Sequence, residues 1–399
     1  MATVTPWPVF RGRRVLAIAG GAAVLGLGGT AIGIAIDPRR ALLGYLTAYV
    51  TVAAIAIGAL ILLLIGHAAN ARWPAPLRRV HESLTVVFPV LAVLFVPIAP
   101  GVTDLYVWAS PSALSPHDRH LIELKSAWLD PAGFVIRSAI YLAVFAIAAE
   151  VLRRRSLRRD AAPPADADVA VARDRRFACA MLPLVGLATT FAAFDWVMSL
   201  QPTWVSSMFG IYYFAGGFGA GIALLAIIAW RARVAGITAG AITPHHFHAL
   251  GRLLLAFVVF WTYAAYFQGF LIQIADRPSE VTFYIARTRH GWDVVLWAIL
   301  ILHFALPFAL LLPRRVKLRP RYLAAVATIV LAGHVLDMYW LVVPSAGGPP
   351  LEIWWIDLAA LVGVAGACVA AAAWRQRGVQ AIAAGDPYLA DGIQYASPT

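Results

Sequence analysis

Long apolar runs alternate with short polar ones along nearly the whole chain. Ten runs are apolar and long enough to cross a bilayer: about 15–36, 41–66, 81–98, 133–152, 175–195, 207–230, 249–274, 290–312, 321–342 and 353–374. A spanning helix needs about 20 such residues, and a helix satisfies its own backbone polar groups in lipid. The pattern therefore predicts an all-α, polytopic membrane protein with about ten transmembrane helices. The third run is short and holds Pro89 and Pro97, so a kink is expected there. The first follows Arg11, Arg13 and Arg14 and is longer than the apolar core of a signal peptide, so it reads as a retained helix.

The polar intervals divide the chain. Residues 1–152 form an N-terminal half with helices 1–4, and 175–374 a C-terminal half with helices 5–10. Between them, 153–174 is rich in Arg, Pro and Ala and reads as a flexible cytoplasmic linker. Residues 375–399 read as a cytoplasmic tail.

Composition agrees with this reading. Of 399 residues, 61% are hydrophobic and 13% charged, against about 25% charged in a soluble domain. The formal net charge of +12 comes almost wholly from Arg, with Lys125 and Lys317 the two lysines. These cations cluster in alternate connections, which is a signature of topology rather than of nucleic-acid binding. Arginines mark the N-terminus, 67–80, 153–176, 231–233, 313–320 and 375–377, whereas 196–206 and 343–352 have none. The positive-inside rule puts both termini in the cytoplasm. The two cysteines, Cys179 and Cys368, lie in apolar runs and form no CxxC or CxxCH. That excludes a cysteine-ligated Fe–S cluster, c-type haem or zinc ribbon within this chain.

Ionisable groups in a span cost about 2.5–3.5 kcal/mol each and are default functional candidates. One set lies at the arginine-rich side: His81, Glu82, Glu150, Arg252, and His245, His246 and His248 of TPHHFHALGR. Such residues also anchor helix ends by reaching water. A second set lies toward the other side: Arg137, Asp195, Asp293, His334 and Asp337, with His303 mid-helix. His334 and Asp337 are spaced i,i+3, share a face and can exchange a proton. Glu82, His81, Asp195, His248, His303, His334 and Asp337 are thus candidates for a proton path.

The run FDWVMSLQPTWVSSMFGIYYFAGGFGAG joins Asp195 and Trp196 to Trp204, then to Tyr212 and four glycines. The glycines permit close helix packing. The tryptophans suit an interfacial belt or an aromatic cleft for a quinone head, for which Arg137, Asp195, Trp196 and Trp204 are the candidates.

Six stretches carry a family resemblance: RRVHESLTVVFPV, KSAWLDPAGFVIRSAIY, FDWVMSLQPTWVSSMFGIYYFAGGF, FHALGRLLLAFVVFWTYAAYFQGFLIQIADRPSE, GWDVVLWAILILHFALPFALLL and GHVLDMYWLVVP. In this order, over about residues 78–345, the chain resembles the second NrfD-like membrane subunit (ActF type) of alternative complex III, a bacterial quinol:cytochrome c oxidoreductase. The resemblance implies two four-helix bundles plus peripheral helices in the bacterial inner membrane. It also implies no bound metal or haem, quinone or quinol as the associated cofactor, and a role in quinone binding or proton translocation. The implied partners are a second NrfD-like subunit, an Fe–S subunit and c-type cytochrome subunits. By position, Glu82 and the inner histidines would belong to the inner end of a proton route, and Asp195, His303, His334 and Asp337 to its embedded and outer parts. Gln201 and Thr203 stand where the family has an acidic residue and a histidine, which marks a divergent member. Two rival readings use the same residues: a secondary transporter, or a b-haem anchor on His303 and His334.

Overall fold

The computed structural model describes residues 7–110, 115–161 and 166–398. These residues are all-helical, without strands. In chain order the helices are α1 (Arg13–Ile36), α2 (Pro38–Ala68), α3 (Arg78–Thr85), α4 (Phe88–Leu94), α5 (Val102–Leu105), α6 (Pro116–Glu123), α7 (Pro131–Ala161) and α8 (Ala167–Trp196). There follow α9 (Phe209–Val234), α10 (Pro244–Ala275), α11 (Pro278–Ala286), α12 (Trp292–Ile299), a π-helical turn (Leu300–Ala305) and α13 (Leu306–Leu311). The chain ends with α14 (Arg314–Leu318), α15 (Pro320–Val342), α16 (Trp354–Arg375) and α17 (Leu389–Ile393).

Among the described residues nine helical segments are long and apolar enough to cross a membrane. The expected third span, 81–98, is not one of them: it is divided into α3 and α4 with a turn at Val86–Val87. Pro89 explains the break. It has no N–H to offer, and its ring would collide with the carbonyl of Thr85, where α3 ends. The expected flexible linker 153–174 is also different. α7 runs on to Ala161 and α8 starts at Ala167, so both flanks of that stretch are helical; residues 162–165 lie outside the described ones.

Local chemistry sets the sharpest turns. Asp37 ends α1 and its carboxylate accepts from the Arg40 backbone N–H, with Pro38 opening α2. Thr243 and His246 cap α10 reciprocally, again with proline at the start.

α2 is the centre of the molecule and is buried along most of its length. It packs on α9, α8 and α16, while α9 also carries α15 and α10, and α7 lies on α8. The α2–α9 crossing is a backbone contact. A Cβ built on Gly58 would fall 2.2 Å from the Gly217 carbonyl oxygen, and one on Gly221 would fall 2.8 Å from the Ala59 nitrogen. α1 packs chiefly on α16, with Gly26 against Gly363. The chain ends meet: Phe10 N–H donates to the Val379 carbonyl (3.0 Å) and Ala381 N–H to that of Pro8 (2.9 Å).

Gly58→Val should cost more than about 3 kcal/mol through overpacking at this crossing and leave little monodisperse protein after detergent extraction. Gly28→Val, on the outer face of α1 with open space around it, should extract like the parent. Normal behaviour of the Gly58 variant would contradict the backbone contact.

Candidate functional site

Three elements converge on α15. His334 and Asp337 lie on it, one turn apart and 0% exposed. α9 brings Tyr212, α10 brings Trp261, and the π-helical turn brings His303, all buried. The π turn has a local cause. Pro307 sits four residues after His303, so its ring cannot face the His303 carbonyl in a regular α-helix. The turn widens, as such turns do at many functional sites. Gly333 lets His303 approach: a Cβ there would fall 2.7 Å from that of His303. Gly216 makes room for the other rings, since a Cβ there would lie 3.3 Å from the Trp261 ring and 3.4 Å from His334 Nδ1.

The Tyr212 hydroxyl donates a short hydrogen bond to Asp337 Oδ1. Trp261 lies on the His303 ring with centroids 4.0 Å apart, and the His303 and His334 rings are 6.0 Å apart. Among the described residues, Asp337 Oδ2, both nitrogens of His334, Nδ1 of His303 and Nε1 of Trp261 have no hydrogen bond of strict geometry, while the Trp261 indole approaches Asp337 and Tyr212, and the Thr51 backbone approaches His334, closely enough for loose bonds. Each buried orphan costs about 1–3 kcal/mol. Such a concentration of them, with two imidazoles and a carboxyl, is costly for stability and useful for moving protons. The haem-anchor reading fails here. A porphyrin needs an open slot between its axial imidazoles, and the backbones meet at Gly333 instead.

Asp195 is the opposite kind of carboxylate. Its Oδ1 accepts from Trp128 Nε1 (2.8 Å) and Arg137 Nη2 (3.0 Å), and its Oδ2 from Arg137 Nε (2.9 Å) and the Tyr141 hydroxyl (2.9 Å). Four bonds exhaust a carboxylate. Trp196 stands beside this lock, its Nε1 bonded to Ser138 Oγ at 3.0 Å and its ring against Tyr49 and Phe95. Trp204 belongs to another group, stacked on Phe283 at 3.9 Å. The four quinone-site candidates are therefore not gathered around one space, and Asp195 has no acceptor capacity left for a quinol hydroxyl.

The remaining candidates sit at the arginine-rich end. Glu82 is paired with Arg79 (2.5 Å), which also binds Asp160. His81 Nε2 lies 2.7 Å from the Ala59 carbonyl oxygen. Glu150 is held by Arg375 (2.5 Å) and Arg154 (2.7 Å). His246 and His248 contact the C-terminal tail, at the Gly392 carbonyl (3.0 Å) and Ser397 Oγ (2.5 Å).

Sequence reasoning missed Arg287 and Trp261. Arg287 is buried at the other end of the bundle, with no acidic partner among the described residues. It donates to the carbonyls of Leu341 (2.7 Å) and Phe283 (3.0 Å) and to Gln201 Oε1 (3.1 Å), and lies 3.6 Å from the Phe283 ring centroid. Burial lowers its pKa to about 9. From it an aromatic column descends through Phe283, Trp204 and Phe209 to Tyr212 and thus to Asp337. A cation in a connection opposite to the arginine-rich ones was the available signal.

No protein-family model matches the chain, and no curated protein matches it significantly.

Asp195→Asn should lower stability by about 3 kcal/mol, the order for breaking a buried pair, seen as a drop in melting temperature in detergent. Asp337→Asn removes no ion pair and should shift it much less. Equal drops would place both carboxylates in one structural class.

Proposed function

We propose that this chain is a membrane subunit of a respiratory quinol oxidoreductase of the alternative complex III type, with cytochrome c or another acceptor, and that it handles protons there. Its partners in this reading are a second NrfD-like subunit, an Fe–S subunit and c-type cytochromes in a bacterial cytoplasmic membrane, with both termini cytoplasmic. The quinol is oxidised at the complex, with this chain supporting its binding from alongside. The sequence resemblance supports the assignment to a complex. The observation that supports proton handling is the buried group of His303, His334 and Asp337, whose polar atoms are at most loosely bonded apart from Asp337 Oδ1.

The chemistry follows from the residue types. An imidazole and a carboxyl on one helix face can pass a proton between them. The direction of transfer responds to charge appearing nearby, as when an electron leaves a quinol in a neighbouring subunit. Tyr212 fixes one Asp337 oxygen and leaves the other to exchange. The Arg287 guanidinium at the top of the aromatic column opposes entry of a cation from that end. Proton exchange in this reading therefore runs toward the arginine-rich end.

Tagged protein from its native host should co-purify with an Fe–S protein and c-type haem proteins, identified by mass spectrometry and a visible spectrum. In that complex Asp337→Asn should abolish most quinol-dependent proton release while leaving the subunits assembled. A lone, colourless protein would sink the respiratory assignment and bring the transporter reading forward. Unchanged proton release with intact assembly would remove proton handling alone.

A further inference from the structure

At the arginine-rich end α8 presents one helical face made of Asp168, Val171, Ala172, Arg175, Arg176 and Cys179. The spacing of three and four residues puts all six in line. With Asn70 and Tyr388 opposite, they line an open cleft of about 530 Å³. Arg175 and Arg176 are exposed, and neither forms an ion pair among the described residues. Their neighbours are committed elsewhere: Asp174 to Arg155 and Arg159, Asp386 to Arg78, and Arg72 to Asp391. Asn70 Oδ1 is buried and partnerless.

The depth of the cleft identifies the ligand class. From Phe177 to Trp196 α8 has 20 residues, or about 30 Å, the thickness of the hydrocarbon layer. Arg175 and Arg176 therefore fall at the level of the lipid headgroups. Below them the same side of α8 continues as exposed apolar surface through Cys179, Pro183 and Leu187, with open space at Gly186. Two guanidinium groups without ion-pair partners among the described residues, Arg176 donating only through Nε to the Ala172 carbonyl (3.3 Å), lie over an apolar stripe and match a phosphodiester carrying an acyl chain.

We propose that this cleft binds one anionic phospholipid, its phosphate between Arg175 and Arg176 and one chain along Cys179, Pro183 and Leu187. The site is independent of the respiratory reading. Of the arginines at this end, Arg175 and Arg176 are the two that line this cleft.

The test uses the full chain in nanodiscs of phosphatidylcholine with added phosphatidylglycerol, followed by native mass spectrometry. One phosphatidylglycerol should remain bound in the parent and in Arg13→Gln/Arg14→Gln, and be lost in Arg175→Gln/Arg176→Gln. Equal retention of phosphatidylcholine, or equal loss in both variants, would overturn the proposal. Inorganic phosphate offered to delipidated protein separates the sources: its binding at these arginines without lipid retention would assign the site to free phosphate and overturn the lipid assignment. Cys179 gives a second readout, because it is exposed and Cys368 is buried. Phosphatidylglycerol should slow its maleimide labelling several-fold in the parent, and not in Arg175→Gln/Arg176→Gln. Labelling that ignores the lipid in the parent would place the lipid elsewhere. Both arginines are exposed and form no ion pair among the described residues, so helical circular dichroism should be the same in parent and variant.

Discussion

The close crossing of α2 and α9 governs the rest of the structure. Glycines at 58, 217 and 221 let the two backbones touch, so α9 is held rigidly at the centre. Its Tyr213 hydroxyl then reaches the Val50 carbonyl at 2.9 Å. The neighbouring Tyr212 is thereby aimed at Asp337, and Gly216 leaves space for His334 and Trp261. Association within lipid gains little from apolar burial and depends on packing and interhelical hydrogen bonds. A bulkier residue on either side of this crossing would move the floor of the site.

Two carboxylates show how the same chemistry is given different work. Asp195 is surrounded by donors, and its charge is spent on tying α7 to α8. Asp337 has one well-formed bond, from Tyr212, and otherwise lies among histidines and a tryptophan that bond loosely at most. The first arrangement is stable and inert; the second sacrifices stability for reactivity. Arg40 and Asp357, bonded at 2.5 and 2.7 Å between α2 and α16, repeat the first pattern.

Spanning helices were legible in the sequence because twenty apolar residues have few other uses. At 81–98 the sequence suggested one kinked helix, whereas Pro89 stops α3 and the segment continues as the separate helix α4. The individual ionisable residues were legible too, since charge in an apolar run is conspicuous. Their grouping was not. Helix periodicity gives the face on which His303 lies but not which helix it meets, and the π turn made by Pro307 alters even the face. Asp195 and Asp337 looked alike by depth and differ by neighbours that lie 58 and 125 residues away. Arg287 escaped notice because a cation in a short connection looks solvated until the surrounding aromatic rings are placed.

The pairing of α1 with α16 has a consequence for biogenesis. α1 leaves the ribosome before the other described helices, yet its principal partner, α16, lies beyond all the other described spanning candidates in the chain. Until then α1 waits in lipid with its small-residue face uncovered. The short bridge of residues 8–10 to 378–381 closes later still. A chain truncated before α16 thus leaves α1 without its principal partner, where membrane quality control can recognise it.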